Sequence, residues 1–414
     1  MPPDPSTQRL RFAKPGEDER LAIAARRAFQ VGTTESWQAY FRDNTQIGPR
    51  GTLVCEEKGA IRGQASLLSF QMKLAGATVP MKGFAAVATA PEARRAGVAD
   101  LLMKTWLDRL HARREGLALL YAFHAPFYQK FGFGRFEWME ELPVVPAEIP
   151  PSPKRRHVRI LEREKDAGAM QRLYERATQD ATGPIERTGW WWNARVFSSY
   201  RQSVIYDGPR GPEGYLLYDV VSAPKTPATS IIVKELAATS PDAMRGLLGF
   251  CNALGDQMAK VTLVLPRGEG GSLLTGRGPE RALLGYPFYR KQGHVLSGAL
   301  ARIVTIETAL ALHPAPARSG VAARIGLDLD DPLFRDQRGG FDVTFDSGAR
   351  IARGRRAKER LAMSIDLLAA IFMGGVSARL LHRLGLVEGS ARAAASLDTA
   401  FAGPTPFLWP LNGF

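Results

Sequence analysis

The segment PEARRAGVADLL, from Pro91 to Leu102, places Arg94 and Arg95 directly before a run of apolar residues at helical spacing. The first turn of a helix favours acidic side chains, because its unpaired N–H groups already carry partial positive charge. Two cations at this point are unfavourable unless an anion shares the site. Gly97 leaves the backbone accessible to a ligand. The segment therefore predicts a phosphate-binding turn between a strand and a helix that starts at Val98.

Short apolar segments alternate with helical patterns on both sides of this turn, and the strands and helix that they predict would hold the turn in place. Strands are predicted at 51–57, 63–74, 81–89 and 117–123, with a helix at 98–114. This order of strand, helix and strand predicts an α/β arrangement. A proline-rich segment at 142–156 predicts a linker or edge segment, which closes a first domain near residue 148.

The same order recurs between residues 151 and 290. Strands are predicted at 215–221, 230–238 and 260–266, with a helix at 241–258 between the last two. The turn before this helix reads TSPDAMRGLL and lacks the arginine pair and the glycine of the first copy. If the two halves are related, the second has lost the ligand site.

The segment from residue 293 to 414 has a different pattern. ARIVTIETAL predicts a strand that leads into a helix, and Asp346-Ser347-Gly348 predicts a hairpin between two short strands. Amphipathic helices are predicted at 361–375, 376–387 and 391–401. The tail GPTPFLWPLNGF is apolar and aromatic up to Phe414. Because exposed termini are usually polar and loose, we expect this tail to be packed.

The composition is that of a globular protein with two or three domains: 414 residues, 45% hydrophobic and 23% charged. The net charge is +14, but the arginines are scattered without a basic stripe, so we expect no nucleic-acid partner. Cys55 and Cys251 cannot build a disulfide framework or a zinc site, and the histidines show no metal-ligand spacing. The apolar runs are too short to span a bilayer, and the opening lacks a signal-peptide core. We expect a cytoplasmic bacterial protein with no metal and no membrane partner.

Two short motifs carry a family resemblance. Residues 94–99 fit R-x-x-G-x-A and resemble the acetyl-CoA pyrophosphate loop, Q/R-x-x-G-x-G/A, of the GNAT superfamily of N-acetyltransferases. Residues 128–133, YQKFGF, resemble the second signature of that superfamily, Y-x-k-x-G-F. Two such halves, the first with an intact loop, and a third domain with an apolar tail resemble the enhanced intracellular survival (Eis) type over essentially the full chain.

The resemblance implies an α/β (α+β) fold class. It predicts two tandem GNAT folds with mixed, mostly antiparallel central sheets and flanking helices, followed by an α+β sterol-carrier-protein-like domain. The predicted domains are 1–148, the catalytic GNAT domain, 149–292, a degenerate copy without a cofactor loop, and 293–414, whose C-terminus completes the active site.

The resemblance also implies an N-acetyltransferase that moves acetyl from acetyl-CoA directly to a primary amine in a ternary complex. The acceptor would be a small-molecule or peptide amine of the polyamine, aminoglycoside or lysine type, and the enzyme a homo-oligomer, commonly a hexamer. The pyrophosphate would be held by Arg94, Arg95, Gly97, Val98 and Ala99, and the pantetheine by the backbone of Ala86, Val87 and Thr89. In this family pattern Tyr128 is the general acid, and the α-carboxylate of Phe414 is the general base.

Candidate residues for the substrate pocket come from the helical segment 26–41: Phe29, Glu35 and Trp37. Trp37 is equally consistent with a place in the core. Phe123 stands where some relatives carry a serine, which removes one possible cofactor contact.

Gly413 stands where the best-known members of the family carry an acidic side chain, which makes an acidic acceptor pocket less assured. Two structural alternatives stay open. Tyr128 could be a packed aromatic residue, and the tail could cap the core of its own domain. Two other functional classes also stay open, an acyl-CoA or lipid-binding sensor or carrier without catalysis and a basic regulator that binds nucleic acid or membrane.

Overall fold

The computed structural model describes residues 9–198, 202–222, 229–268, 271, 292–318, 320 and 322–414. The opening segment 1–8 and residues 272–291, the end of the predicted second domain, lie outside the described residues. Within the described part of the chain, no helix combines the length and the apolar character needed to cross a membrane.

The strands follow one another along the chain in short apolar or alternating segments. They are β1 Arg9–Phe12, β2 Ile47–Glu57, β3 Ala60–Leu74, β4 Ala77–Thr89, β5 Leu117–Tyr121, β6 Gly134–Arg135, β7 Met139–Val144, β8 Val158–Ile160, β9 Gln202–Gly208, β10 Gly211–Ser222, β11 Thr229–Ala238, β12 Met258–Pro266, β13 His294–Leu296, β14 Ala299–Ile303, β15 Ala323–Asp330, β16 Gly339–Phe345, β17 Ala349–Arg353, β18 Arg360–Ser364 and β19 Glu388–Gly389.

The helices lie between these strands. They are α1 Asp18–Phe29, α2 Thr34–Asp43, α3 Val98–Ala112, α4 Ala125–Gln129, α5 Arg163–Thr178, α6 Gly189–Trp191, α7 Pro241–Ala253, α8 Ile306–Leu312, α9 Ala315–Arg318, α10 Ile365–Phe372, α11 Ala378–Arg383 and α12 Ala391–Ala400. Short 3-10 turns and one π-helical turn, Trp192–Val196, complete the described backbone.

The described strands form three sheets. Their orders are β1-β2-β3-β4-β5-β14-β6, β13-β7-β12-β11-β10-β9-β8 and β17-β16-β15-β18-β19. Described neighbours run antiparallel except for β4 with β5, β11 with β12, and β15 with β18. The first two parallel pairs are each joined by one crossover helix, α3 and α7, as parallel pairing requires. The predicted fold class, with mixed and mostly antiparallel sheets, is confirmed.

The sheets exchange strands across both predicted domain boundaries. Strand β7 precedes residue 148 but lies in the second sheet, between β12 and β13. Strand β14 follows residue 293 but lies in the first sheet, between β5 and β6. The division at 148/149 and 292/293 stays a prediction, and neither cut would separate one sheet from the next.

Three clusters of buried apolar residues hold the layers together. One packs α3, through Val98, Leu102 and Trp106, against the first sheet, as the helical spacing of these residues predicts. A second packs α7 against the second sheet. The largest joins all three sheets and includes the apolar residues of the C-terminal tail. The expectation that the tail is packed is confirmed.

Three of the predicted helices are too long, and the one predicted at 376–387 is helical only over Ala378–Arg383. The helix predicted at 241–258 ends at Ala253, and Met258 already begins β12. The helix predicted at 361–375 begins as strand β18, where Leu361 and Met363 are buried in alternation, which is the period of a strand. Its helical part is α10 alone.

The proline-rich segment is not a simple linker, because its first residues form the end of β7. Pro143 lies opposite Thr262 of β12, while the described part of β13 pairs only with residues 139–141. Proline lacks an N–H and is tolerated where one side of a strand needs no partner. Within the described residues, β7 is paired on both sides at 139–141 and on one side at 142–144, so the prediction of an edge segment holds for Pro143 and its two neighbours.

Candidate active site

The first sheet opens between β4 and β5. These strands pair in parallel only from Lys82–Ala118 to Phe84–Leu120, although β4 continues to Thr89. A β-bulge follows directly, because Gln64 lies opposite Ala88 whereas Ser66 lies opposite Ala85. A bulge bends its strand and increases the local twist, so β4 turns away from β5 and leaves a cleft.

The bulge itself is formed by Ala86 and Val87. Ala86 has a φ of 47°, a left-handed conformation that is strained for a residue with a side chain. Such strain persists where the surrounding structure enforces it, commonly at functional sites. Backbone groups at the bulge are released from the ladder and are available to the amides of an extended ligand in the cleft.

The turn after β4 leaves the N-terminus of α3 open. A 3-10 turn, Pro91–Ala93, precedes it, and Gly97 has a φ of 77° and provides no side-chain cap. A Cβ placed on Gly97 would meet no atom within 4 Å. Arg94 and Arg95 are exposed beside this opening, and Nη2 of Arg94 donates to the carbonyl of Ala28 at 3.1 Å. Free N–H groups, an accessible backbone and two cations fit a pyrophosphate.

The other predicted loop residues contribute through the backbone or lie at the margin. Val98 is the first residue of α3, and its side chain is buried against the first sheet. It can therefore offer only its N–H to a ligand. Ala99 is half-buried in the first turn of the helix. Thr89 pairs with Gly63 at the end of β4, and it is not among the residues that line the cavity beside the cleft between β4 and β5.

A cavity of about 670 Å³ adjoins the cleft. Its walls come from α1 and α2, from the ends of β4 and β5, from the helical segment 190–198 of the second half, and from the chain's last residue. The walls are largely aromatic: Phe29, Trp37, Tyr40, Phe84, Tyr121, Phe123, Tyr128, Trp190 and Phe414. Residues from distant parts of the sequence thus converge on one space beside the open strands.

Tyr128 lies on α4, at the wall of this cavity. Its ring packs edge-on against Phe127, with ring centroids 4.9 Å apart, and against Phe133 at 6.3 Å. Burial raises the pKa of Tyr128 to about 12, because the phenolate would be poorly solvated there. The hydroxyl therefore keeps its proton at neutral pH, as a general acid must.

Phe414 reaches the first sheet from the end of the third domain. Its ring lies 5.0 Å from that of Phe70 and 5.4 Å from that of Tyr121. A Cβ placed on Gly83 would lie 2.7 Å from Cε2 of Phe414. The strand thus carries a glycine where the terminal ring rests on it, and the tail does more than cap its own domain.

Three family models match this chain. A model described as an acetyltransferase (GNAT) domain matches residues 9–136, a second with the same description matches residues 183–277, and a sterol carrier protein domain matches residues 306–409. The curated N-acetyltransferase Eis of Mycobacterium tuberculosis is 25% identical over 368 residues, which is 83% of this chain and 84% of that protein. An uncharacterized N-acetyltransferase of Streptomyces avermitilis is 25% identical over 396 residues, or 92% of each chain.

Solved structures share the fold of the whole chain. Eis1 from Mycobacterium abscessus superposes with a TM-score of 0.77 at 21% identity, over 98% of this chain and 100% of that one. A GCN5-related N-acetyltransferase from Kribbella flavida gives 0.79 at 22% identity, over 100% of both chains. The chain carries two GNAT acetyltransferase domains and a sterol carrier protein domain, and it resembles the N-acetyltransferases of the Eis type over most of its length.

GNAT acetyltransferases take their acyl group from acetyl-CoA, and the open turn at Arg94 to Gly97 fits the phosphates of that donor. The second signature of this Eis-type enzyme also has a structural explanation. Gly132 has a φ of 81°, and a Cβ there would overlap the buried guanidinium of Arg302. A Cβ on Gly134 would overlap the carbonyl of Asp366. The glycines after Tyr128 are therefore required where β14 and the third domain pack against the first.

The structure places two of the three predicted pocket residues at the cavity. The rings of Phe29 and Trp37 stack with centroids 5.3 Å apart, and Phe123, 89% exposed, lies 5.9 Å from Phe29 at the rim. Trp37 is thus a wall residue and not part of the core. Glu35 lies outside the cavity, because it sits in the first turn of α2 and faces solvent, where Thr33 and the helix backbone lower its pKa.

Several wall residues were not predicted from the sequence. Where the structure describes the lining, its charged side chains are Asp43 and Arg195, and Asp43 accepts from Nε and Nη2 of Arg42 at 2.8 and 2.9 Å. Burial raises the pKa of Tyr40 to about 12. Trp190 opens the run WWWNAR, whose three consecutive tryptophans were the signal that could have indicated a contact surface. Among the described residues no cluster of His, Cys, Asp and Glu could hold a metal ion.

Proposed function

We propose that this enzyme transfers acetyl from acetyl-CoA to a primary amine in one direct step, with Tyr128 as the acid and the α-carboxylate of Phe414 as the base. The observation that carries the proposal is that both residues line one cavity beside the open end of β4 and β5. In the proposed arrangement the turn from Arg94 to Gly97 holds the pyrophosphate. The backbone at Ala86 and Val87 lies along the pantetheine.

The proposed step balances without a further reagent. The amine nitrogen forms a bond to the acetyl carbon, and the carbon–sulfur bond breaks. The nitrogen becomes acidic as its bond forms, so a carboxylate can accept its proton. Tyr128 donates to the departing sulfur, whose thiol resembles that of cysteine with a pKa of about 8.5. The proton that the carboxylate accepted then returns to Tyr128 through solvent, which restores both groups. The aromatic walls restrict water around these groups, which strengthens both interactions.

The proposed acceptor is a primary amine of the polyamine, aminoglycoside or lysine type. Among the described residues of the lining, the charged side chains are Asp43, already held by Arg42, and Arg195. A polycation needs several acidic partners, whereas a single amine on an apolar body fits aromatic walls. Within this class we therefore expect lysine-type monoamines to react faster than polycations. A homohexamer and a cytoplasmic place stay predictions from the resemblance and the sequence.

The test is thiol release from acetyl-CoA with a panel of polyamines, aminoglycosides and lysine peptides. We expect turnover on at least one amine and its loss in Tyr128→Phe. The matched control is Tyr218→Phe, because Tyr218 is a buried tyrosine of the second sheet, remote from the cavity lining. It should keep its rate.

Extension of the chain beyond Phe414 tests the base. An extended chain should bind acetyl-CoA as before but lose turnover, because the α-carboxylate becomes a peptide bond. Full activity in the extended chain would refute the carboxylate role. Binding of acetyl-CoA without turnover on any amine would favour the acyl-CoA sensor instead.

A further inference from the structure

The C-terminal tail packs along the second half of the chain before it reaches the cavity. The N–H of Phe407 donates to the carbonyl of Thr182 at 3.0 Å. Gly183 has a φ of 112°, and a Cβ there would overlap the carbonyl of Phe407. Trp409 and Leu411 are buried. The residues that precede Phe414 are therefore positioned by the second half, although that half has no phosphate-binding turn.

A fully buried ion pair lies at the centre of this contact. Arg187 donates to both carboxylate oxygens of Glu235, at 2.9 and 2.5 Å, and neither side chain is exposed. The hydroxyl of Tyr215 also donates to Glu235. Burial alone would lower the pKa of Arg187, but the charge of Glu235 raises it above its ordinary value, so the guanidinium stays charged. A buried pair of this kind is weak evidence for net stability, and in some proteins such pairs specify one arrangement of the chain.

The arrangement that this pair specifies includes the tail. Arg187 donates to Oδ1 of Asn412 through Nε at 3.0 Å and through Nη2 at 2.8 Å. The hydroxyl of Tyr174 lies 3.3 Å from the same oxygen. Asn412 is completely buried. One guanidinium thus joins a carboxylate of the second sheet to the side chain two residues before the chain's end.

The neighbours of Asn412 are held from the same segment. Nε1 of Trp191 donates to the carbonyl of Leu411 at 2.9 Å, and Nη2 of Arg195 donates to the carbonyl of Gly413 at 2.6 Å. Three consecutive tail residues are therefore each fixed by the second half. The next residue is Phe414, whose ring rests on Gly83 of the first sheet.

We infer that the second GNAT domain is a clamp for the chain's end, in which Arg187, Trp191 and Arg195 are positioning residues for the carboxylate of Phe414. This inference rests on the proposed function, because it assigns the clamp to the base of that reaction. A base must be held within a fraction of an ångström of its working position, and a free chain end would not be. The clamp supplies that constraint. Arg187 and Trp191 do not line the cavity and so act without contact to the substrates.

The position of the clamp in the second sheet supports this assignment. Glu235 lies two residues beyond Val233–Leu263, the last parallel pair between β11 and β12. In the first sheet, Ala86 lies two residues beyond the corresponding last pair. The position at which the first sheet opens into the cleft is thus occupied in the second sheet by the Arg187–Glu235 ion pair.

The decisive variant is Asn412→Ala, which disconnects the tail from Arg187 and keeps the ion pair. We expect kcat to fall about tenfold or more, while the KM for acetyl-CoA changes less than about twofold, since only the position of the base is disturbed. The matched control is Asn252→Ala. Nδ2 of Asn252 donates to the carbonyls of Pro146 and Ile149, at 3.1 and 2.8 Å, and not to the tail. Its kcat per folded enzyme should be unchanged.

A second variant tests the clamp even if Asn412→Ala does not fold. Arg195 is exposed, so Arg195→Gln should fold and should lower kcat at saturating amine by about three- to tenfold. If both variants keep the wild-type kcat, or if Asn412→Ala and Asn252→Ala lose activity equally with their folded fraction, the clamp is refuted.

The outcomes separate the clamp from the reaction. If the unmodified enzyme acetylates no amine, the proposed function has failed. If it is active and extension beyond Phe414 leaves it active, the carboxylate role is wrong, and the clamp falls with it. If extension abolishes turnover but Asn412→Ala and Arg195→Gln do not lower kcat, the clamp alone is wrong.

Discussion

The two GNAT domains each place a crossover helix between two parallel strands, but the N-termini of the two helices differ. At α3, the residue before the helix is Gly97, which leaves the N-terminal N–H groups open. At α7 that residue is Ser240, whose Oγ accepts from the N–H of Ala243 at 3.2 Å and donates to Glu213 at 2.6 Å. The N-terminal N–H groups of α3 can therefore bind an anionic ligand. At α7 the Ser240 hydroxyl caps the helix and is itself held by the Glu213 carboxylate.

The comparison shows that the same strand-helix-strand unit can serve as a ligand site or as structural support. Anion binding requires that the helix end be left unsatisfied, because a capped N-terminus has fewer N–H groups to offer. The strands differ in the same sense. The first sheet opens at Ala86, and the second holds Glu235 there, paired with Arg187. In the second half, local polar groups satisfy one another at the positions that correspond to the proposed cofactor site of the first.

The largest effect is expected from Arg94→Ala combined with Arg95→Ala, which tests whether the turn before α3, unlike the turn before α7, binds phosphate. The KM for acetyl-CoA should rise roughly 100-fold, because two charge-assisted contacts to phosphate are lost. The control is Arg245→Ala in α7, where Arg245 pairs on the surface with Asp242 of the first turn. Steady-state kinetics should show no change in that control. Equal effects of the two changes would mean that the open turn is not the phosphate site.

A smaller effect is expected from Gly83→Ala, which gives the first sheet a side chain where the second carries Ile232 in the matching parallel pair. The new Cβ would push the ring of Phe414 from its seat. We expect kcat to fall about tenfold, with the KM for acetyl-CoA within about threefold.

Gly48→Ala is the control for this change, because a Cβ on Gly48, in the same sheet, would meet no atom within 4 Å. A wild-type kcat in Gly83→Ala would argue that the position of Phe414 is unimportant for turnover.

The smallest effect is expected from Ser240→Ala, which removes the cap of α7. The free energy of unfolding, measured by urea denaturation, should fall by about 1 kcal/mol, as for other N-cap serines. Kinetic constants should stay the same, since this helix end binds no substrate in our account. A rise in the KM for acetyl-CoA would indicate that the second domain still takes part in donor binding.

The parts of the site that the sequence predicts are those encoded locally. Arg94, Arg95 and Gly97 lie within four residues, and a helix N-terminus gives their order a physical meaning. Tyr128 lies in a short motif whose glycine has a packing reason. Phe414 was assigned by resemblance, and only the apolar tail gave an independent hint.

The parts that the sequence did not predict depend on distant contacts. Neither Arg187 nor Glu235 shows locally that it will meet the other, because 48 positions separate them. Glu35 was placed in the pocket by nearness to Trp37, but successive helical residues point in different directions. The insertion of β14 into the first sheet has no local signal at all, since ARIVT would suit a strand of any sheet.

That insertion bears on how the chain folds as it is made. Between β5 and β6 the first sheet needs residues 299–303, and so it cannot close while the ribosome has delivered only the first domain's own sequence. Until then the edge of β5 is exposed, and edges of this kind invite pairing with other chains. The same dependence means that recombination at the predicted boundaries would not yield self-sufficient modules, so we expect the three parts to have been inherited together.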